Sequence, residues 1–293
     1  MKYFERLHPS ASFLYFIIVI LIAMLTMNPV IVLICYFSGV IFCTMLIGMR
    51  KLLSSLSYSL PITIIIALTN PLFVHRGSSI LFFLNDNPVT LEAIVYGCAC
   101  SLMIMSVFYW CRCYSEIMTS DKFIYLFGRI IPKLSLVLSM ALAFIPKFKQ
   151  KFKEIDEAQK ALGIYATKSY VDKIRSKFRV LSILLTYSLE NSVQTADSMR
   201  ARGYGLKGRS SYSIFKFTLS DLIFVIAEVL FGVCVLAFII SGNAKFYYYP
   251  SFSPLNTSIS AYVMYSALIM LTGSSILLEV KENILWHCLK SKI

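Results

Sequence analysis

The stretch Ser188-Leu-Glu-Asn-Ser-Val-Gln-Thr-Ala-Asp-Ser-Met-Arg-Ala-Arg-Gly-Tyr-Gly-Leu-Lys-Gly-Arg209 reads as the polar end of a long helix in an otherwise apolar chain. Upstream of it, Val171, Ile174, Phe178, Leu181 and Leu185 recur every three or four positions, and the stripe continues more weakly through Val193, Ala196 and Met199. A helix unbroken from Val171 to Arg202 would be about 48 Å long at 1.5 Å per residue. Gly203, and then Gly205, supply its stop, because glycine adopts the left-handed conformation that ends a helix without a side-chain clash. Arg202 then stands at the tip, where the negative end of the helix dipole favours a cation and the guanidinium is free to reach a partner's carboxylate. Taken alone, Arg200, Arg202, Lys207 and Arg209 also read as a solvated helix end with dipole-compensating charges.

Working outward, the 293 residues are 58% hydrophobic with a mean hydropathy of +0.72. That is too apolar for a soluble domain and predicts an all-α polytopic membrane protein. The formal charge of +13 is concentrated: 19 of the 28 Lys and Arg fall between Cys111 and Lys216, against 8 of the 15 Asp and Glu. Flanking membrane spans make an anionic lipid surface or an acidic protein surface a better partner for this basic segment than nucleic acid.

Three regions are expected, with boundaries at 1–110, 111–217 and 218–293. The first holds about four spans. Ala11 to Met27 is an apolar run with no Ala-x-Ala cleavage site after it, which reads as a retained span behind a basic-amphipathic lead, Met1 to Pro9. Asn28-Pro29 turns into a second span, Val30 to Met49, closed by Arg50-Lys51. A shorter stretch, Leu60 to Leu72, contains Pro61 and is either kinked or extended back towards Leu52. Between Phe73 and Val89, His75-Arg76-Gly77 reads as a polar turn and Ile80 to Leu84 as a hairpin strand or interfacial segment. Thr90 to Trp110 is the fourth span, with Thr90 as its cap.

The middle region opens with an amphipathic segment, Asp121 to Ile131. Pro132 then starts a helix that is apolar to Ile145 and amphipathic beyond Pro146, where Lys147, Lys149, Lys151 and Lys153 alternate with a stripe of Phe148, Phe152, Ile155 and Leu162. Two further spans, Leu219 to Ser241 and Ser260 to Leu278, flank an aromatic belt at Tyr247-Tyr248-Tyr249-Pro250. With six spans, the basic connections and both termini share one side, which the positive-inside rule assigns to the cytoplasm of a cell (plasma) membrane protein.

Catalytic constellations are sparse. Gly203-x-x-x-x-Gly208-Arg209-Ser210 has phosphate-loop spacing, yet arginine replaces the lysine and a helix, not a strand, precedes it. Most of the eight cysteines lie within or beside apolar runs, and Cys98 and Cys100, like Cys111 and Cys113, are two apart and point to different sides of a helix, which suits small buried residues with reduced thiols better than a shared metal. His8, His75 and His287 form no ligand cluster, and no cofactor is called for. Of the acids in spans, Glu92, Asp221 and Glu228, only Glu228 lies far from an end, where a charge is costly and is usually paired or functional. A membrane enzyme acting on lipid head groups or a secondary transporter are the rival classes. The first lacks a catalytic His or acid pair at a span end, and the second lacks paired charges at mid-membrane.

Ala201-Arg202-Gly203-Tyr204, preceded by Ala196-Asp197-Ser198-Met199 and followed by Gly208-Arg209-Ser210-Ser211-Tyr212, resembles the signature of the transmembrane T component of energy-coupling factor transporters. Asn70-Pro71-Leu72-Phe73, His75, Gly77, Asn87-Pro88-x-Thr90-x-Glu92-Ala93 and Tyr96-Gly97 resemble one branch of that family. The resemblance implies two long cytoplasmic coupling helices, each ended by an Ala-Arg-Gly motif whose arginine docks into a groove of an ABC-type ATPase subunit. It also implies a non-catalytic scaffold joining two such ATPase subunits to a substrate-binding membrane S component that captures a vitamin or a transition-metal ion. The second motif is Ala201, Arg202 and Gly203. The first should fall in Glu157-Ala158-Gln159-Lys160-Ala161-Leu162-Gly163, where Ala161 and Gly163 match but Leu162 holds the arginine's position. Either that contact is apolar, or Lys160 substitutes, or the two ATPase contacts are unequal.

Overall fold

The computed structural model describes residues 3–84, 87–128, 130–163, 170–206 and 215–290. These form two units, Met1–Phe123 with Phe215–Ile293, and Ile124–Ile214. In chain order the elements are α1 (Tyr3–Arg6), α2 (Pro9–Leu25), α3 (Pro29–Ile47), α4 (Met49–Phe73), β1 (Ile80–Leu84), β2 (Asn87–Thr90), α5 (Leu91–Ile117), α6 (Ser120–Gly128), α7 (Pro132–Ala161), α8 (Tyr170–Ala201), α9 (Leu219–Ile240) and α10 (Ile259–Lys290). Five of these, α3, α4, α5, α9 and the Ile259–Glu282 part of α10, are long and apolar enough to cross a bilayer. α2 is as apolar but has 17 residues, about 25 Å at 1.5 Å per residue. The predicted all-α polytopic fold is what is observed.

In the first unit α5 packs against α2, α3 and α4, while α10 packs against α3 and α9. The core is aromatic. Trp110 on α5 stacks on Phe42 of α3 with ring centres 5.8 Å apart, and its indole N–H donates to the Cys35 carbonyl at 3.0 Å. Gly39 lets them meet, since a Cβ there would stand 3.0 Å from the indole nitrogen. Phe4 meets Tyr15, Phe42 and Phe224 at 5.4 to 5.6 Å. Between helices in lipid no hydrophobic driving force exists, so such close packing and buried hydrogen bonds carry the association. Trp110→Phe keeps the ring and loses the bond to Cys35, and is expected to cost about 1–2 kcal/mol, read as a lower unfolding temperature in detergent.

α4 is longer than its hydropathy suggests. It begins at Met49, directly after Gly48, whose φ of +88° makes the turn from α3. The serines that dilute the apolar pattern face inward: Ser55 and Ser59 are buried, Ser59 Oγ lies 3.0 Å from the Tyr109 hydroxyl, and Arg112 donates to Ser55 Oγ at 2.9 Å. Leu60, Ile64, Ile65 and Leu68 are left exposed on the outer face. Of the two readings of this span, the one that extends it back past Leu52 holds, and Pro61 and Pro71 both lie inside the helix.

The segment after α4 forms an antiparallel hairpin of β1 and β2. Thr90 caps α5 by accepting from the Ala93 N–H. At the opposite end of the bundle the lead is not a free amphipathic segment. Phe4 and Leu7 are core residues, the Phe4 carbonyl accepts from Lys122 at 3.5 Å, Arg6 pairs with Glu282 at 3.2 Å, and the His8 N–H donates to Asp221 Oδ1 at 3.0 Å. Asp221 also closes a capping box with Thr218 at the start of α9.

The eight cysteines are free thiols, with Cys35, Cys43 and Cys113 buried and Cys98, Cys111 and Cys288 exposed. The expected burial thus holds for only part of the set, because Cys98 and Cys111 fall on the outward face of α5.

In the second unit α7 runs through Pro146 without interruption and packs against α8, with the Lys151 ammonium 5.2 Å from the centre of the Tyr187 ring. The apolar stripe of α8 is solvent-facing: Val171, Ile174, Phe178, Leu185, Leu189 and Val193 are all more than half exposed.

Candidate coupling site

The two glycine-ended motifs share a glycine with positive φ after the helix and the hydrogen bond from its N–H to the carbonyl three residues before it. α8 ends at Ala201, and the following residues close a Schellman motif: the Tyr204 N–H donates to the Met199 carbonyl at 3.0 Å and the Gly203 N–H to that of Arg200 at 2.9 Å. Gly203 has a φ of +80°, the left-handed value that the motif requires at this position and that glycine meets without strain. α7 ends at Ala161, the Gly163 N–H donates to the Lys160 carbonyl at 3.0 Å, and Gly163 has a φ of +73°. Arg202 and Leu162 therefore occupy equivalent C-cap positions on two helices.

Both C-cap side chains are exposed, and Leu162 retains 73% of its accessible surface. Among the described residues Arg202 makes no ion pair. Lys160, two residues before Leu162, has its ammonium 2.6 Å from Asp156, and this hydrogen-bonded carboxylate holds it above the usual lysine range. Lys151 is likewise engaged, with Glu154 at 3.0 Å. Such exposed pairs add little to stability, but they neutralise lysines near the first motif while Arg202 stays unpaired. Lys207, Gly208, Arg209 and Ser210 to Tyr212, together with Lys168 and most of the connection between α7 and α8, lie outside the described residues.

The second set of singled-out residues converges at one joint of the first unit. Asn70 Nδ2 donates to the Ala93 carbonyl at 2.8 Å and to the Tyr249 hydroxyl at 3.1 Å. Glu92, 1% exposed, accepts from Ser78 Oγ at 3.0 Å and from the Ser79 N–H at 3.1 Å. A Cβ on Gly77 would stand 2.6 Å from both Glu92 Oε2 and Thr90 Oγ1, and one on Gly97 would stand 2.4 Å from the Ala67 carbonyl oxygen. These residues fasten the hairpin and α4 to the start of α5; His75 and Arg76 remain in the turn before it. The joint is a structural fastening.

Sequence reasoning did not pick out the Phe4–His8 anchor, whose short apolar-basic alternation carries no motif. Among the described residues no group of three or more His, Cys, Asp or Glu side chains is placed to hold a metal ion.

A bundle with five helices long and apolar enough to cross a bilayer, and a second unit of two long amphipathic helices, each followed by a left-handed glycine, define a polytopic membrane protein. The chain belongs to the CbiQ family, described as cobalt transport protein, whose model matches residues 2–214. It is also similar to the energy-coupling factor transporter transmembrane protein EcfT of Streptococcus equi subsp. equi, at 30% identity over 103 residues, 34% of this chain and 38% of that protein. The protein of the same name from Bacillus selenitireducens is 32% identical over 107 residues, 36% of this chain and 40% of that protein. The alignment with each of these relatives thus spans less than half of its length. The resemblance carried by Ala201-Arg202-Gly203 is met by the family itself.

Proposed function

We propose that this chain is the transmembrane coupling subunit of an energy-coupling factor importer, binding two ABC-type ATPase subunits through the C-caps of α7 and α8. One observation carries the reading: equivalent left-handed glycine ends present two exposed C-cap side chains, and among the described residues the arginine of the two makes no ion pair. Arg202 is the ionic anchor, and Leu162 makes the matching contact by apolar burial, since Lys160 is already engaged by Asp156. Closure of the ATPase pair moves the two helix ends, and the solvent-facing apolar stripe of α8 passes the motion to a substrate-binding membrane subunit that captures a vitamin or a transition-metal ion. The chain itself hydrolyses nothing. In this reading 111–217 is the coupling region, and it lies in the cytoplasm with both termini.

Co-expression with candidate ATPases tests the assembly: the chain is expected to co-purify with an ATPase pair, and recovery of the chain alone from cells that make both would overturn the reading. Sidedness is checked by cysteine scanning after Cys98, Cys111 and Cys288 are replaced by serine. A thiol reagent outside intact cells is expected to reach a cysteine at Asn243 and not one at Gln150. Labelling at Gln150 from outside would invert the topology.

A further inference from the structure

Glu228 stands at the middle of α9 and is 1% exposed. Its Oε1 lies 2.6 Å from the Ser274 hydroxyl of α10, and its Oε2 is buried with no hydrogen-bond partner. Among the described residues no lysine, arginine or histidine pairs with it. The ionisable group that faces it from α2 is Tyr15, whose hydroxyl is given to Ser275 Oγ at 2.9 Å. An ionised carboxylate there would be a buried charge with one hydroxyl donor, an arrangement that proteins avoid by pairing the charge or neutralising it.

The hydroxyl protons of α10 decide between the two forms. Ser275 Oγ donates to the Thr272 carbonyl at 2.9 Å and Thr272 Oγ1 to that of Leu268 at 3.0 Å, so each hydroxyl gives its proton to its own helix. Ser275 then accepts from its lateral neighbour, Tyr15. Ser274 Oγ lies 2.7 Å from the Leu271 carbonyl as well as 2.6 Å from Glu228, and it has one proton to give. A single hydroxyl proton divided between two acceptors makes two weak bonds, whereas both short contacts are full hydrogen bonds when the carboxyl supplies the second proton. We infer that the α9–α10 contact is a proton-binding site in which Glu228 is a neutral carboxylic acid donating from Oε1 to Ser274 Oγ. The acid ionises only when α9 and α10 part far enough to admit water. This inference stands independently of the ATPase assembly.

Infrared spectroscopy of the purified protein in phosphatidylcholine nanodiscs at neutral pH, with carboxyl-labelled glutamate, tests it. A carbonyl band of a protonated, hydrogen-bonded carboxylic acid is expected. Glu228→Gln should remove it, and Ser274→Ala should retain it at the frequency of a more weakly bonded acid. Absence of an acid band in the wild-type protein would overturn the inference, as would a band that survives Glu228→Gln. Should the glutamine variant fail to fold, Ser274→Ala decides alone: a shifted band supports the donor geometry, and an unmoved band refutes it.

Discussion

Replacing Arg202 with alanine is expected to abolish uptake by the assembled transporter and to weaken recovery of the ATPase pair. Arg202 is the C-cap of α8, held outward by the left-handed Gly203, and among the described residues nothing competes for its guanidinium. A docked arginine is desolvated against a carboxylate, and removing one partner of such a pair costs about 2–5 kcal/mol, largely by leaving the other charge unpaired. That corresponds to roughly 30-fold to several thousand-fold weaker association. Leu162→Ala should cost less, because truncating an apolar contact strands no charge. Arg202→Lys separates two forms of the contact, since lysine keeps the charge and loses the planar fork. Partial uptake would fit a point-charge contact and none would fit bidentate pairing. Wild-type uptake and assembly in Arg202→Ala would return the residue to a solvated helix end.

The largest effect on the fold is expected at Gly97. A Cβ there stands 2.4 Å from the Ala67 carbonyl oxygen and 3.2 Å from the Asn70 Cβ, and the obstructing atom is backbone, which cannot swing aside. Gly97→Val must push α4 from α5, which strains the bond from Asn70 to the Ala93 carbonyl and loosens the fastening of the hairpin. Overpacking commonly costs about 1–3 kcal/mol, occasionally more. A clash with a rigid carbonyl inside a helix pair belongs at or beyond the upper end. Little monodisperse protein should be recovered from detergent, whereas Gly97→Ser, with one heavy atom beyond Cβ, should be intermediate. A valine variant with the wild-type elution profile and unfolding temperature would refute the close approach.

The spans were legible because a bilayer demands long apolar helices, and Asn28-Pro29 and Thr90 punctuate them with a turn and a cap that chain chemistry dictates. α8 was legible for a related reason: a three-and-four stripe followed by glycine has few alternatives. The start of α4 was not, because its serines lower the hydropathy of the helix although two of them, Ser55 and Ser59, are hidden in the bundle, and hydropathy does not record direction. At the candidate site, the departure at Leu162 was visible as a residue type, but the equivalence of its backbone position to that of Arg202 emerged only from the φ values and the hydrogen bonds of the two glycine turns. Residues 4–8 escaped because Lys122, Asp221 and Glu282, which fasten them, are more than a hundred positions away, and no local pattern encodes them.

Those partners also set an order of assembly at the ribosome. Phe4, Arg6 and His8 take their places against Lys122, Glu282 and Asp221 respectively, so α1 is fully fastened only after α10 has been made. At about 5–20 residues per second, the interval between Arg6 and Glu282 is on the order of 14–55 seconds. For that time Phe4 and Leu7 have no finished core to enter. Loss of the α10 turn that carries Glu282 is therefore expected to be felt at α1, as exposure of Phe4 and Leu7 to quality-control proteases.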